Sequence, residues 1–139
     1  MKILYGFPVK EWDRRSQPDS VGKIWSDNRF IAVIEKLSER YPDLFIWYGF
    51  VDMYDYQAAW LDYTYNVVPN SGIEIQFSVW ENHVKDVHLL TYCRQYQNVP
   101  GSTDSEYEWK FSKVSVGKIV KELFRLIDDH LVFLNGVRV

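Results

Sequence analysis

"GIEIQFSVW", residues 72–80, decides how this chain is read. Ile73, Ile75, Phe77 and Val79 occupy every second position, and Glu74, Gln76 and Ser78 fill the positions between them. Successive side chains of an extended strand point to opposite faces. A period of two therefore predicts a strand with one buried face and one wet face.

The same period extends outward in both directions. Upstream, "VPNSG" at 68–72 reads as a turn, and "YDYQAAWLDYTYNVV" at 54–68 as a long acidic and aromatic strand. Before it, "LFIWYGFVDM" at 44–53 is apolar on both faces, as a central strand is. Downstream, "ENHVKD" at 81–86 reads as a turn or short loop, "VHLLTYCRQYQ" at 87–97 as a strand and "NVPGSTDS" at 98–105 as a loop. "EYEWKFS" at 106–112 alternates again, with Tyr107, Trp109 and Phe111 against Glu106, Glu108 and Lys110. Consecutive strands with short connections predict an antiparallel meander of about five strands.

The period changes to that of a helix on both sides of this block. Phe30, Val33, Ile34, Leu37 and Tyr41 share one face of "SDNRFIAVIEKLSERYP", residues 26–42. Ser26 is the expected N-cap, Trp25 with Phe30 the hydrophobic staple and Pro42 the stop. "SVGKIVKELFRLIDDHLVFLNG", residues 115–136, carries a wide stripe of Val116, Ile119, Val120, Leu123, Ile127, Leu131 and Leu134. Ser115 is the expected cap, Val114 with Ile119 the staple and Asn135–Gly136 the end. "MKILYGF" reads as a first strand ended by Pro8, residues 10–20 as a loop, and "VRV" at 137–139 as a short last strand. The expected fold is α+β: the meander, with an N-terminal and a long C-terminal helix packed on one face.

Length and composition bound the rest. At 139 residues the chain reads as one domain, 1–139, with enough residues for a real core. No apolar run reaches a membrane span, and the N-terminal apolar run is too short for a signal peptide. A lone cysteine, Cys93, excludes an internal disulfide and a cysteine-based zinc site, and a cytoplasmic location is the expectation. Its position within a strand favours a buried structural thiol over a nucleophile.

"SVGKI" occurs twice, at 20–24 and 115–119. A phosphate-binding P-loop needs a glycine five residues before its Gly-Lys pair and a hydroxyl residue after it. Here those places hold Gln17 and Ser112, and then Ile24 and Ile119, so the phrase is helix-starting grammar. The three histidines, His83, His88 and His130, follow no metal-ligand spacing, so no metal and no cofactor are expected. His130 falls on the apolar side of the last helix, where a hydrogen-bonded core histidine is the ordinary outcome.

Charge is unevenly spread. From Tyr41 to Val84 there is no Lys or Arg, six carboxylates (Asp43, Asp52, Asp55, Asp62, Glu74 and Glu81) and 12 of the 24 aromatic residues. Phosphate binding needs basic side chains, so this region excludes direct nucleic-acid binding. Asp52, Tyr54, Asp55, Tyr56, Trp60 and Asp62 are the candidate binding residues, with Tyr56, Trp60 and Asp62 projecting to one face of their strand. Aromatic side chains supply interface energy, and carboxylates steer and select a basic partner. The expected function is a protein-binding module that neutralises or sequesters a basic protein such as a toxin or nuclease. In size and composition the chain is similar to small bacterial immunity proteins and phage-encoded inhibitors. Two alternatives stand beside it. One is a small hydrolase or nuclease using His88, Arg94 and Glu108 on the open sheet face. The other is a homodimer that buries the aromatic face, against a monomer in the first reading.

Overall fold

The computed structural model describes residues 4–9, 27–51, 56–64, 70–80, 83–94 and 105–136. Among them lie six strands and two helices: β1 (Leu4–Pro8), α1 (Asn28–Arg40), β2 (Phe45–Val51), β3 (Tyr56–Thr64), β4 (Ser71–Trp80), β5 (His83–Cys93), β6 (Ser105–Lys110) and α2 (Val116–Gly136). The strands form one sheet in sequence order, and every neighbouring pair is antiparallel. Strands β2–β6 are the meander. β1 extends it by pairing with β2, with α1 lying between them in the chain.

The alternation in "GIEIQFSVW" sets the core. Ile73, Ile75, Phe77 and Val79 are buried, together with Ile46, Ala59, Leu61, Val84, Val87 and Leu89 from the neighbouring strands. These pack against Phe30, Val33, Ile34 and Leu37 of α1 and Ile119, Val120, Leu123 and Ile127 of α2 in a single cluster. Phe77 meets Phe30 edge-to-face at 5.0 Å. Both helices thus cover one face of the sheet, and among the described residues no element covers the other, the open face.

The helix starts follow from local chemistry. Ser115 caps α2 as expected, its hydroxyl accepting from the Lys118 N–H. Val114 and Ile119 both pack on the core. For α1 the cap is Asp27, one residue later than Ser26, whose position lies outside the described residues with that of Trp25. The Asp27 carboxylate accepts from the N–H groups of Arg29 (2.9 Å) and Phe30 (3.2 Å). It also accepts from the Val84 N–H (3.0 Å), which fastens the start of α1 to β5. A carboxylate has enough acceptor sites for all three, which a serine hydroxyl lacks. At the far end of α1 the Tyr41 hydroxyl donates to Asp128 of α2 at 2.6 Å, and Arg40 pairs with the same carboxylate.

Some strand boundaries differ from the sequence reading: β6 runs Ser105–Lys110 rather than 106–112, and the start of β5 moves further. β5 starts at His83, inside the segment read as a loop. The pairing Ser78↔Asp86 is followed by Val79↔Val84, so Lys85 is an extra residue, a β-bulge. The bulge lets Val84 and Val87, three residues apart, both enter the core. No simple alternation describes such a segment. The "VRV" segment lies outside the described residues. No described helix is long and apolar enough to cross a membrane.

Candidate partner-binding face

Directly opposed residues of neighbouring strands project to the same side of a sheet, so the register maps the open face row by row. One row runs Phe45, Asp62, Glu74, Leu90 and Glu106 across β2 to β6. The next runs Trp47, Trp60, Gln76, His88 and Glu108. A third carries Ser78, Asp86 and Lys110 over β4 to β6. The face is therefore aromatic toward β1 and β2, doubly acidic at its centre, and mixed but still acidic toward β6.

The aromatic end is built on a glycine. A side chain at Gly6 would run into the rings of Trp47 and Phe45, so the bare backbone of β1 is what lets those rings lie down. The two rings are 4.7 Å apart and tilted against each other. Trp47 sits directly across from Trp60, and both are half-buried.

At the centre, Asp62 and Glu74 are directly opposed carboxylates. Burial beneath its neighbours, and then the Glu74 charge, push the Asp62 pKa up from 3.8 to about 6. Like charges directly opposite across a strand pair are unfavourable. None of β2, β3 and β4 carries a Lys or Arg to relieve them. Asp62 is thus held as a carboxylate at neutral pH against an energetic penalty that a cation from outside would remove.

Toward β6, His88 lies opposite Glu108 and 3.9 Å from the Glu106 carboxylate. Arg94 is six residues further along, about 20 Å at the usual rise of a strand. There it stacks over Tyr92 at 5.4 Å. The structure thus brings His88 and Glu108 together and leaves Arg94 away from both. Tyr92 in turn lies across Gly72, as Trp47 lies across Gly6.

Of the candidate binding residues, Trp60 and Asp62 share the open face. Tyr56 pairs through its backbone with Val51, and its side chain is outside the described set. Asp52, Tyr54 and Asp55 lie outside the described residues. Sequence reasoning passed over three members of the face: Trp47, Phe45 and Glu74. The alternation in "GIEIQFSVW" already placed Glu74 on the wet side. Register, which sequence does not fix, makes it the neighbour of Asp62.

On the helix side, a cleft of about 200 Å³ between α2 and the β5–β6 pair is lined by Arg125, Asp129, His130 and Tyr107, among others. Arg125 is paired there with Glu122 and Asp129. His130 is only half-buried and stands at this cleft. Cys93 is buried. Among the described residues no group of three or more His, Cys, Asp or Glu is placed to hold a metal ion.

Comparison with protein families, with curated proteins and with solved structures finds no match to this chain.

Proposed function

We infer that the open sheet face binds a basic protein and neutralises or sequesters it, with Asp62 and Glu74 receiving a lysine or arginine of the partner beside Trp60 and Trp47. The observation that carries this reading is the Asp62–Glu74 pair: two opposed carboxylates, one with a raised pKa, in a stretch with no basic residue. A cation inserted there relieves their repulsion, and an indole face beside it adds cation–π attraction. Glu106 and Glu108 extend the negative field toward β6 and favour rapid encounter with a basic surface. A toxin or a nuclease is the kind of protein whose basic active surface fits such a face.

The test is affinity capture with the wild-type chain and with Trp60→Ala and Glu74→Arg variants whose fold is checked by circular dichroism. The expected result is a basic protein held by the wild type and released as salt rises. Trp60→Ala should weaken it by about 30-fold, the scale of an aromatic hot spot. Glu74→Arg should abolish capture. An acidic partner, retention that ignores ionic strength, or self-association through this face would overturn the reading.

A further inference from the structure

A second charged feature lies where β5 begins and β6 ends. A cleft of about 480 Å³ is lined there by Arg29, Val84, Lys85, Asp86, Lys110 and Ser112. Arg29, Lys85 and Lys110 stand there against Asp86 and against the Asp27 that pairs with Arg29, which leaves one net positive charge in a protein whose net charge is −3. This is a local reversal of sign at one corner of the sheet, away from the Asp62–Glu74 pair, and it shares Asp86 and Lys110 with the third row of the open face.

Arg29 is fixed in place. Its Nη2 donates to the Val84 carbonyl at 2.9 Å and to Asp27 at 3.3 Å, and its Nε reaches Asp27 at 3.4 Å. The Phe111 ring lies 5.1 Å from the guanidinium carbon. Those bonds use the N–H groups on Nε and Nη2. Among the described residues the Nη1 amino group has no hydrogen-bond partner. A guanidinium held on one edge and stacked on a ring presents its other edge at little entropic cost.

The two lysines are placed by the sheet. Lys85 is the bulge residue, and its carbonyl accepts from the Phe111 N–H at 2.9 Å, which ties the bulge to the end of β6. Bulges recur beside binding sites because they re-aim a side chain. Lys110 ends β6, and Ser112 follows it with a hydroxyl. Neither lysine forms an ion pair among the described residues. An arginine edge, two mobile ammonium groups and a hydroxyl donor together suit a compact, doubly charged oxyanion. Asp86 on the rim disfavours a weakly charged anion that cannot outweigh its repulsion.

We propose that the cleft formed by Arg29, Lys85, Lys110 and Ser112 binds a phosphoryl dianion, either free or carried by a small phosphomonoester. The experiment is a ¹⁵N-resolved NMR titration of the full chain at low ionic strength, with inorganic phosphate in one arm and a nucleoside monophosphate in the other. The Lys85→Gln/Lys110→Gln variant is run in parallel. Saturable shifts confined to Arg29, residues 84–86 and residues 110–112 are expected, weakened about tenfold or more in the variant. Tighter binding in the monophosphate arm assigns the ester as the ligand, and equal binding assigns the free ion. Shifts scattered over the surface, failure to saturate, or equal affinity in wild type and variant would overturn the proposal. The variant leaves Arg29, and so the Asp27 cap, intact, and an unchanged spectrum away from the cleft verifies its fold.

Discussion

Replacing Asp62 by Asn should stabilise the free protein at neutral pH while weakening its hold on a partner. A carboxyl whose pKa rises from 3.8 to about 6 on folding binds its proton more tightly in the folded state than in the unfolded state. Between those two values the folded state carries more protons, so stability falls as pH rises and stays reduced above the upper value. Taken at face value that penalty is about 3 kcal/mol. Asp62 keeps part of its contact with water, which reduces the figure to about 1 kcal/mol. Asn has the same shape and no charge, so it removes the penalty at every pH. Urea unfolding of wild type and Asp62→Asn at pH 7.5 and pH 4.5 reads the effect. The variant should exceed the wild type by about 1 kcal/mol at pH 7.5, with a much smaller difference at pH 4.5. A variant less stable than wild type at pH 7.5, or a difference that ignores pH, would refute the claim that this carboxylate is held at a cost.

Other perturbations read other parts of the molecule. Gly72→Ala would press a methyl group against the Tyr92 ring at 2.6 Å and the Tyr63 carbonyl at 2.9 Å. It should cost about 1–3 kcal/mol in urea unfolding, partly restored by adding Tyr92→Ala. Asp27→Ala removes the cap of α1 and the acceptor for the Val84 N–H, so a loss of about 2–3 kcal/mol is expected in the same assay. Burial alone would raise the Asp27 pKa, but hydrogen bonds from Arg29, Val84 and Phe30 hold it below the ordinary value. Burial would likewise raise that of Asp128, and its bonds from Arg40 and Tyr41 outweigh this. Depressed carboxyl pKa values contribute stability that is present above the unfolded value and lost as pH falls through the folded one. Asp62 contributes the opposite slope, a loss of stability as pH rises from its unfolded to its folded value. Asp62→Asn should flatten the decline on the neutral side, as thermal unfolding across pH would register.

The fold was legible because this sheet has one dry face and one wet face. Wherever burial demands alternation, as at Ile73–Val79 and Trp109–Phe111, sequence spacing reports strand and face directly. The helix stripes of Phe30–Leu37 and Ile119–Leu134 were equally plain. Alternation failed at Val84–Val87, where a bulge adds Lys85 and the period is broken by design of the core. The α1 cap is Asp27, whose local bonds to Arg29 and Phe30 any N-cap aspartate can make, but its added bond from Val84, 57 residues away, is a contact that local sequence does not contain. The site was half legible for a related reason. Composition picked out the acidic, aromatic stretch, and strand parity put Trp60 and Asp62 on one side. Only the register shows that Glu74 is the partner of Asp62 and Trp47 that of Trp60. His88 and Glu108 met for the same reason, and Arg94 did not, because parity places residues on a face without fixing their separation along it.

The central claim is that the open face of the sheet is the surface this protein uses. Carboxyl footprinting tests it most directly: carbodiimide labelling of the chain alone and in complex with its captured partner, read by mass spectrometry residue by residue. The account predicts protection of Asp62, Glu74, Glu106 and Glu108 in the complex, while Glu35, Glu39 and Asp129 on the exposed sides of the helices keep their labelling. Protection of the helix carboxylates with Asp62 and Glu74 still reactive would contradict it.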